Sequence, residues 1–442
     1  MKVFITITVL VVALRLISPI TADLSFLVLA IYAASGSKNT IYSFILCWFL
    51  TLINPIIAAD TNIGMIGRYL VIVAGYSRIF IDIFLKKNTH INQYIFITFL
   101  IAVFIIFHSI FFSNYFLVSF LKIFSWILVF ITLFSCWDNL NEREKNEVFN
   151  NLVGFLKGIL ILSIPLLASP AIGFAKNGTG FQGLLNHPQA FGPTVAILGV
   201  IVGGKILSNK EIKITDFVVF SLCLVFVILS EARTAGLGLT LGLIFGMILN
   251  SIFSKKSFFE SNPIFKNSWV YLNLFILIFF GYIFSNLYIN KVQDYLFKRT
   301  ESSSLFEAAE SSRGGLVENM LINIENNPLT GIGFGMSSKP EDMKIEFDPF
   351  FNIPISAVIE KGVLPIAVLE ELGLVLGIVV FFWFILSFYR SAQVDVQKLC
   401  IIICIVCLNL GEYMFFSVGG MGMLMLILFT FSVVLKKKSE SI

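Results

Sequence analysis

The chain has 442 residues, 57% hydrophobic and 13% charged, with a formal net charge of +4 and a mean hydropathy of +0.91. Soluble domains carry about 25% charged residues, so there is too little polar residue here to cover a globule of 49.5 kDa. The composition excludes a soluble enzyme, a nucleic-acid-binding domain and a disulfide-stapled secreted scaffold, and it predicts an all-α polytopic transmembrane helical bundle.

In chain order, apolar runs predict spans near 3–20, 24–34, 41–59, 64–85, 92–111, 115–136, 148–168, 189–208, 214–230, 235–253, 269–286, 362–388, 398–415 and 418–435, about 12–14 in all. The second is short and reads as half of a hairpin or a partner-buried segment. Lys2, the apolar stretch and the small residues before Asp23 resemble a cleavable signal peptide, but Arg15 interrupts the stretch. The expectation is that the segment is retained as a span.

Loop charges set the expected orientation. One set of loops holds Lys2, Lys38, Lys86, Lys87, Arg143, Lys145, Lys210, Lys213, Lys255, Lys256, Lys266, Arg390, Lys398 and the lysines at 436–438. The alternate short loops hold only Lys176 and Arg233. Lys and Arg concentrate in cytoplasmic loops, so both termini are expected inside. Residues 287–361 then form one long external loop between an N-terminal bundle, 1–286, and C-terminal helices with a cytoplasmic tail, 362–442. From 287 to 353 this loop holds ten acidic and six basic residues, which does not oppose the orientation because long loops translocate regardless of charge. Within it, 313–325 reads as an amphipathic helix ended by Asn326, Asn327 and Pro328, with a glycine-rich turn at 331–335.

Charged residues inside spans are costly and point to function. Arg78 and Asp82, four apart, read as an ion pair on one helix face. Arg68, near the outer end of its span, either contacts an anion or snorkels to headgroups. Arg15 and Lys122 also lie towards the outer side. Gly238, Gly242 and Gly246 allow close helix approach, and the six cysteines lie in apolar runs as packing residues. With three histidines and no Asp-x-Asp sequence, neither a metal nor a cofactor is expected.

Three outer clusters carry sharper signals: 183–192 with His187, Pro188 and Gly192; Ser230-Glu231-Ala232-Arg233-Thr234; and Ser312-Arg313 with the turn at 331–335. Turn and cap chemistry accounts for Pro188, Gly192 and the glycine turn. It does not explain a single arginine at each of two corners, and arginine offers a permanent charge and a fork that matches phosphate oxygens.

The order of SEARTAGLGL (230–239), SSRGG (311–315), ENNPLTGIGFG (325–335) and LEELGLVLG (369–377), with NHPQAFG (186–192), resembles the O-antigen ligase/polymerase superfamily. The resemblance covers mainly 180–390. It implies a bacterial inner-membrane glycosyltransferase of GT-C type, acting at the periplasmic face on undecaprenyl-pyrophosphate-linked oligosaccharide without metal or nucleotide sugar. Arg233 matches the arginine of the family's corner motif, with Glu231 and Ala232 inserted after Ser230, and Arg313 matches the one early in the external loop. The family's ligases usually carry a histidine-asparagine pair at the end of that loop. Here the region reads VIEKGVLP from 358 to 365, where Glu360 could accept a proton in place of the histidine and Lys361 could contact phosphate. The missing histidine favours the polymerase branch over the ligase branch.

The chemistry follows independently. A lipid-pyrophosphate leaving group needs positive charge, from Arg233 and Arg313 with Arg68, and an attacking hydroxyl needs a carboxylate, from Glu360 ahead of Glu370 and Glu371. The leading expectation is a polymerase extending lipid-linked repeat units among membrane lipids, with a chain-length regulator and a flippase as partners. The alternatives are a ligase delivering glycan to lipid A–core or another acceptor, and a non-enzymatic flippase, though the paired repeats common in transporters are not evident.

Overall fold

The computed structural model describes residues 2–61, 64–86, 92–208, 212–254, 257–266, 271, 305–347, 354–357 and 361–435, without the side chains of 65, 82–86, 305–313 and 355–356. The predicted span near 269–286 apart from Tyr271, all of 436–442, and Asp82 as a side-chain partner of Arg78 thus lie outside the described residues.

The chain is a multi-pass helical membrane protein. Its helices are α1 (Lys2–Ile17), α2 (Pro19–Ala34), α3 (Ser37–Leu52), α4 (Gly64–Lys86), α5 (Gln93–Phe112), α6 (Phe116–Asn139), α7 (Glu142–Ser163), a one-turn α8 (Pro170–Gly173), α9 (Pro188–Leu207), α10 (Ile214–Leu229), α11 (Arg233–Ser254), a one-turn α12 (Phe258–Ser261), α13 (Leu305–Asn326), α14 (Leu364–Ala392), α15 (Val396–Leu408) and α16 (Met421–Val433). The first break falls at Ser18, ahead of the expected loop at 20–23, because Pro19 cannot continue a helix but starts the next one beneath the capping Ser18.

Among the described residues, six helices are long and apolar enough to cross a membrane. Others expected as full spans are shorter. α15 and α16 have 13 residues each, about 20 Å of helix against a core of about 30 Å. The apolar runs are real, but the stretch between these two helices (409–420) leaves helical geometry and packs into the bundle. α16 is buried at every position and α9 at nearly all, so these apolar-all-round helices form the centre. The glycine stripe of α11 faces α15 as expected: a Cβ at Gly242 would stand 2.9 Å from Cys404 Cβ, and one at Gly246 would stand 2.3 Å from Cys400 Sγ.

The segment 305–347 docks on a broken helix. α14 loses helical geometry at Gly373 (φ 68°, ψ −178°). The break frees the carbonyls of Glu370 and Glu371, which accept the N–H groups of Ile332 and Gly333 at 2.9 and 3.0 Å, while Leu374 N–H donates to Pro328 O at 2.9 Å. Gly331 and Gly333 take positive φ, as a turn reading requires. A Cβ at Gly373 would lie 2.2 Å from Leu329 O, so only glycine permits this contact. His108 and Ser119, from α5 and α6, bond the carbonyls of Thr330 and Phe334. Beyond the turn, the strands Ile345–Phe347 and Pro354–Ala357 pair antiparallel, with Ile345 opposite Ala357. This small ladder was not legible in the sequence, which predicted only helices there.

Candidate functional site

Two adjacent acids next to the break in α14 are buried, where they meet Lys361 from just before that helix. Lys361 Nζ lies 2.7 Å from Glu370 Oε2 and 3.1 Å from Glu371 Oε1, and all three side chains are fully buried. Asn323 Nδ2 donates to Glu370 Oε1 at 2.7 Å and Ser338 Oγ to Oε2 at 3.2 Å. Tyr413 Oη donates to Glu371 Oε2 at 3.0 Å, and Tyr413 N–H donates to Lys361 O at 3.1 Å. Burial, together with the neighbouring Glu371 and Glu370, pushes the Tyr413 phenol well above its ordinary value, so it remains a donor. This cluster ties the segment before α14 (Asn323, Ser338, Lys361), the broken helix and the 409–420 connection into one unit.

In front of Tyr413 opens a cavity of about 470 Å³, bounded by the first turns of α4 and α6, the 409–420 connection and the strand Pro354–Ala357. Arg68 and Lys122 both line it, with hydroxyls from Ser125, Tyr413 and Ser417, and among the described residues no carboxylate lines it. Lys122 Nζ rests 5.0 Å over the Tyr413 ring and 5.3 Å over Phe334. Arg68 packs on the backbone at Gly419, where a Cβ would stand 2.6 Å from a guanidinium nitrogen. Its buried Nε–H has no hydrogen-bond acceptor among the described residues. Two cations on one cavity wall, with the Glu371 carboxylate close enough to act on Lys122, make this a candidate site for an anion.

The structure sorts the sequence candidates. Arg68 lines the cavity. Lys361, offered to a phosphate, instead spends its ammonium on Glu370 and Glu371, so these three residues position the site. Arg313 lies on α13, with its side chain outside the described residues, and Glu360 is outside them too. Arg233 opens α11, beside Thr234, whose side chain packs on Gly411, two residues from Tyr413.

The clusters at 183–192 and 230–234 do come together. Gly192 lies within α9, and a Cβ there would stand 2.5 Å from Ser230 Oγ and 2.6 Å from Ala232 Cβ. It is therefore a close-packing glycine inside a helix, not the turn residue expected from sequence. His187 caps α9, its Nδ1 accepting from Gln189 N at 2.9 Å. Glu231 Oε2 accepts from Thr179 Oγ1 at 3.0 Å, and Glu231 takes a positive φ of 54°.

Sequence reasoning missed the hub at 409–420, where Asn409 Oδ1 accepts the N–H groups of Met414 and Phe415. The signal was present as Asn409, Gly411, Glu412 and the Gly419-Gly420 pair, polar or flexible residues interrupting an apolar run.

Among curated proteins, the probable peptidoglycan glycosyltransferase FtsW of Buchnera aphidicola subsp. Baizongia pistaciae (strain Bp) is 35% identical over 112 residues, covering 24% of this chain and 30% of its own length. No family model matches the chain, and no solved structure matches it.

Proposed function

We propose that the chain is a membrane glycosyltransferase that takes a glycan from a lipid-linked pyrophosphate donor, and that it acts as a polysaccharide polymerase. The observation that carries this reading is the cavity holding Arg68 and Lys122 with no lining carboxylate among the described residues, at the end of the bundle covered by the external segment. The likeness of a quarter of the chain to a protein named as a peptidoglycan glycosyltransferase supports an enzyme over a flippase. In this reading the bond from the anomeric carbon to the pyrophosphate oxygen breaks as the acceptor hydroxyl oxygen attacks that carbon, inverting it. Arg68 and Lys122 neutralise the departing pyrophosphate, with Arg233 and Arg313 as further anion contacts. The hydroxyl proton passes to a carboxylate, Glu360, whose neighbour Lys361 is fixed by Glu370 and Glu371. The loop charges support a cavity on the periplasmic side of a bacterial inner membrane, with both termini cytoplasmic.

Purified full-length chain supplied with undecaprenyl-pyrophosphate-linked oligosaccharide in excess EDTA tests the reading. A ladder of lengthening lipid-linked glycan is expected. Product found only on an added lipid A–core acceptor would replace the polymerase with a ligase, and no transfer to either acceptor would reject the enzyme.

A further inference from the structure

A second and larger cavity, of about 780 Å³, lies at the opposite end of the bundle. The first site sits where α15 ends and α16 begins, whereas this one is lined by Asp395 and Lys398, where α15 begins, and by Phe431, where α16 ends. Four lysines and three carboxylates line it, and the carboxylates are engaged by the protein itself. Glu142 holds the buried Lys145 at 2.8 Å, and Asp395 caps α15 by accepting from Gln397 N at 3.2 Å.

The third carboxylate, Asp216, is shared. Its Oδ2 takes Lys205 Nζ at 2.7 Å and the N–H of Lys213 at 3.0 Å, leaving Lys157 Nζ at 3.7 Å from Oδ1, beyond hydrogen-bond range. The Asp216 side chain is only 4% exposed, whereas those of Lys157 and Lys205 are 29% and 31% exposed. A buried carboxylate thus stands behind two ammonium groups that face the open space, leaving one positive charge in excess among the described residues. Val153 and Phe431 add apolar wall beside this charged end.

We propose that this cavity binds a phosphate group, recognised by Lys157 and Lys205 and carried either by an anionic phospholipid of the adjoining leaflet or by a soluble phosphate compound. A phosphate oxygen completes the coordination that Asp216 leaves open at Lys157. Lysine meets phosphate as a point charge, and a diester headgroup can lay its glycerol on the apolar wall.

The test uses the full chain in phosphatidylcholine nanodiscs, with and without phosphatidylglycerol, and separately with inorganic phosphate added. Bound phosphatidylglycerol is counted by native mass spectrometry, and phosphate binding is read from the thermal unfolding midpoint. Lys157→Gln should weaken binding roughly tenfold, the scale of one charge-assisted hydrogen bond. Lys157→Arg should retain it. Lys266→Gln, which removes an exposed charge outside the cavity, should leave it unchanged. Retention of phosphatidylglycerol with this variant pattern identifies a lipid site, and a response to inorganic phosphate with the same pattern identifies a soluble ligand. Binding of neither, or equal binding by wild type and Lys157→Gln, would overturn the proposal.

Discussion

Replacing Lys361 with methionine tests the buried cluster most sharply. The substitution keeps a similar stem but removes the ammonium that stands 2.7 Å from Glu370 and 3.1 Å from Glu371. Two fully buried carboxyl groups are then left with only neutral side-chain donors. Breaking such a pair from one side costs about 3–5 kcal/mol, against about 1 kcal/mol for an ordinary substitution. The loss should not fall equally on the two acids. Among the described residues, Glu370 keeps Asn323 and Ser338 as donors, whereas Glu371 keeps only Tyr413. Lys361→Met/Glu371→Gln should therefore recover more stability than Lys361→Met/Glu370→Gln. Thermal unfolding in detergent reads the effect as a midpoint lowered by on the order of 5 °C. A midpoint unchanged in the single variant, or equal rescue by both glutamine changes, would refute the claim that this cluster locks the loop to the helix.

Gly373→Ala should destabilise the docked loop by about 1–3 kcal/mol, because its φ of 68° strains any other residue. Faster limited proteolysis within 305–347 reads the effect. Arg233→Lys and Arg313→Lys should each lower transfer roughly a hundredfold if a planar fork holds the pyrophosphate, whereas near-normal product would leave these residues as helix-end anchors. Cysteine placed at the exposed Glu341 should react with an impermeant maleimide in intact spheroplasts, and cysteine at Ser254 should not. The reverse pattern would invert the membrane orientation.

The spans were legible because hydropathy and helix length share one physical cause, the apolar thickness of the bilayer. Leu364–Ala392 and Gln93–Phe112 begin and end close to where their apolar runs do. Arg68 was legible as a costly charge in a span, and it lines the cavity. The pairing of Lys361 with Glu370 and Glu371 was not legible, since it depends on the break at Gly373, and LEELG reads as uninterrupted helix. Tyr413 was hidden for a related reason: its neighbours Met414, Phe415 and Phe416 extend an apolar run, so periodicity continued the span through a connection that leaves helical geometry at Leu408. Gly192 was visible but misassigned, because only the third dimension brings Ser230 and Ala232 onto it.

The proposed hold of Arg68 and Lys122 on the anionic leaving group of a lipid-linked donor can be read from the single-turnover rate of glycan transfer from undecaprenyl-pyrophosphate-linked oligosaccharide by Arg68→Lys and Lys122→Gln, each checked for an unfolding midpoint equal to wild type. Both residues line the cavity, and each contact should contribute about 2–4 kcal/mol to the transition state. The account predicts a rate roughly a hundredfold lower for Lys122→Gln and an intermediate loss for Arg68→Lys, whose compact ammonium keeps the charge but not the fork. Rates near wild type in both folded variants would contradict it.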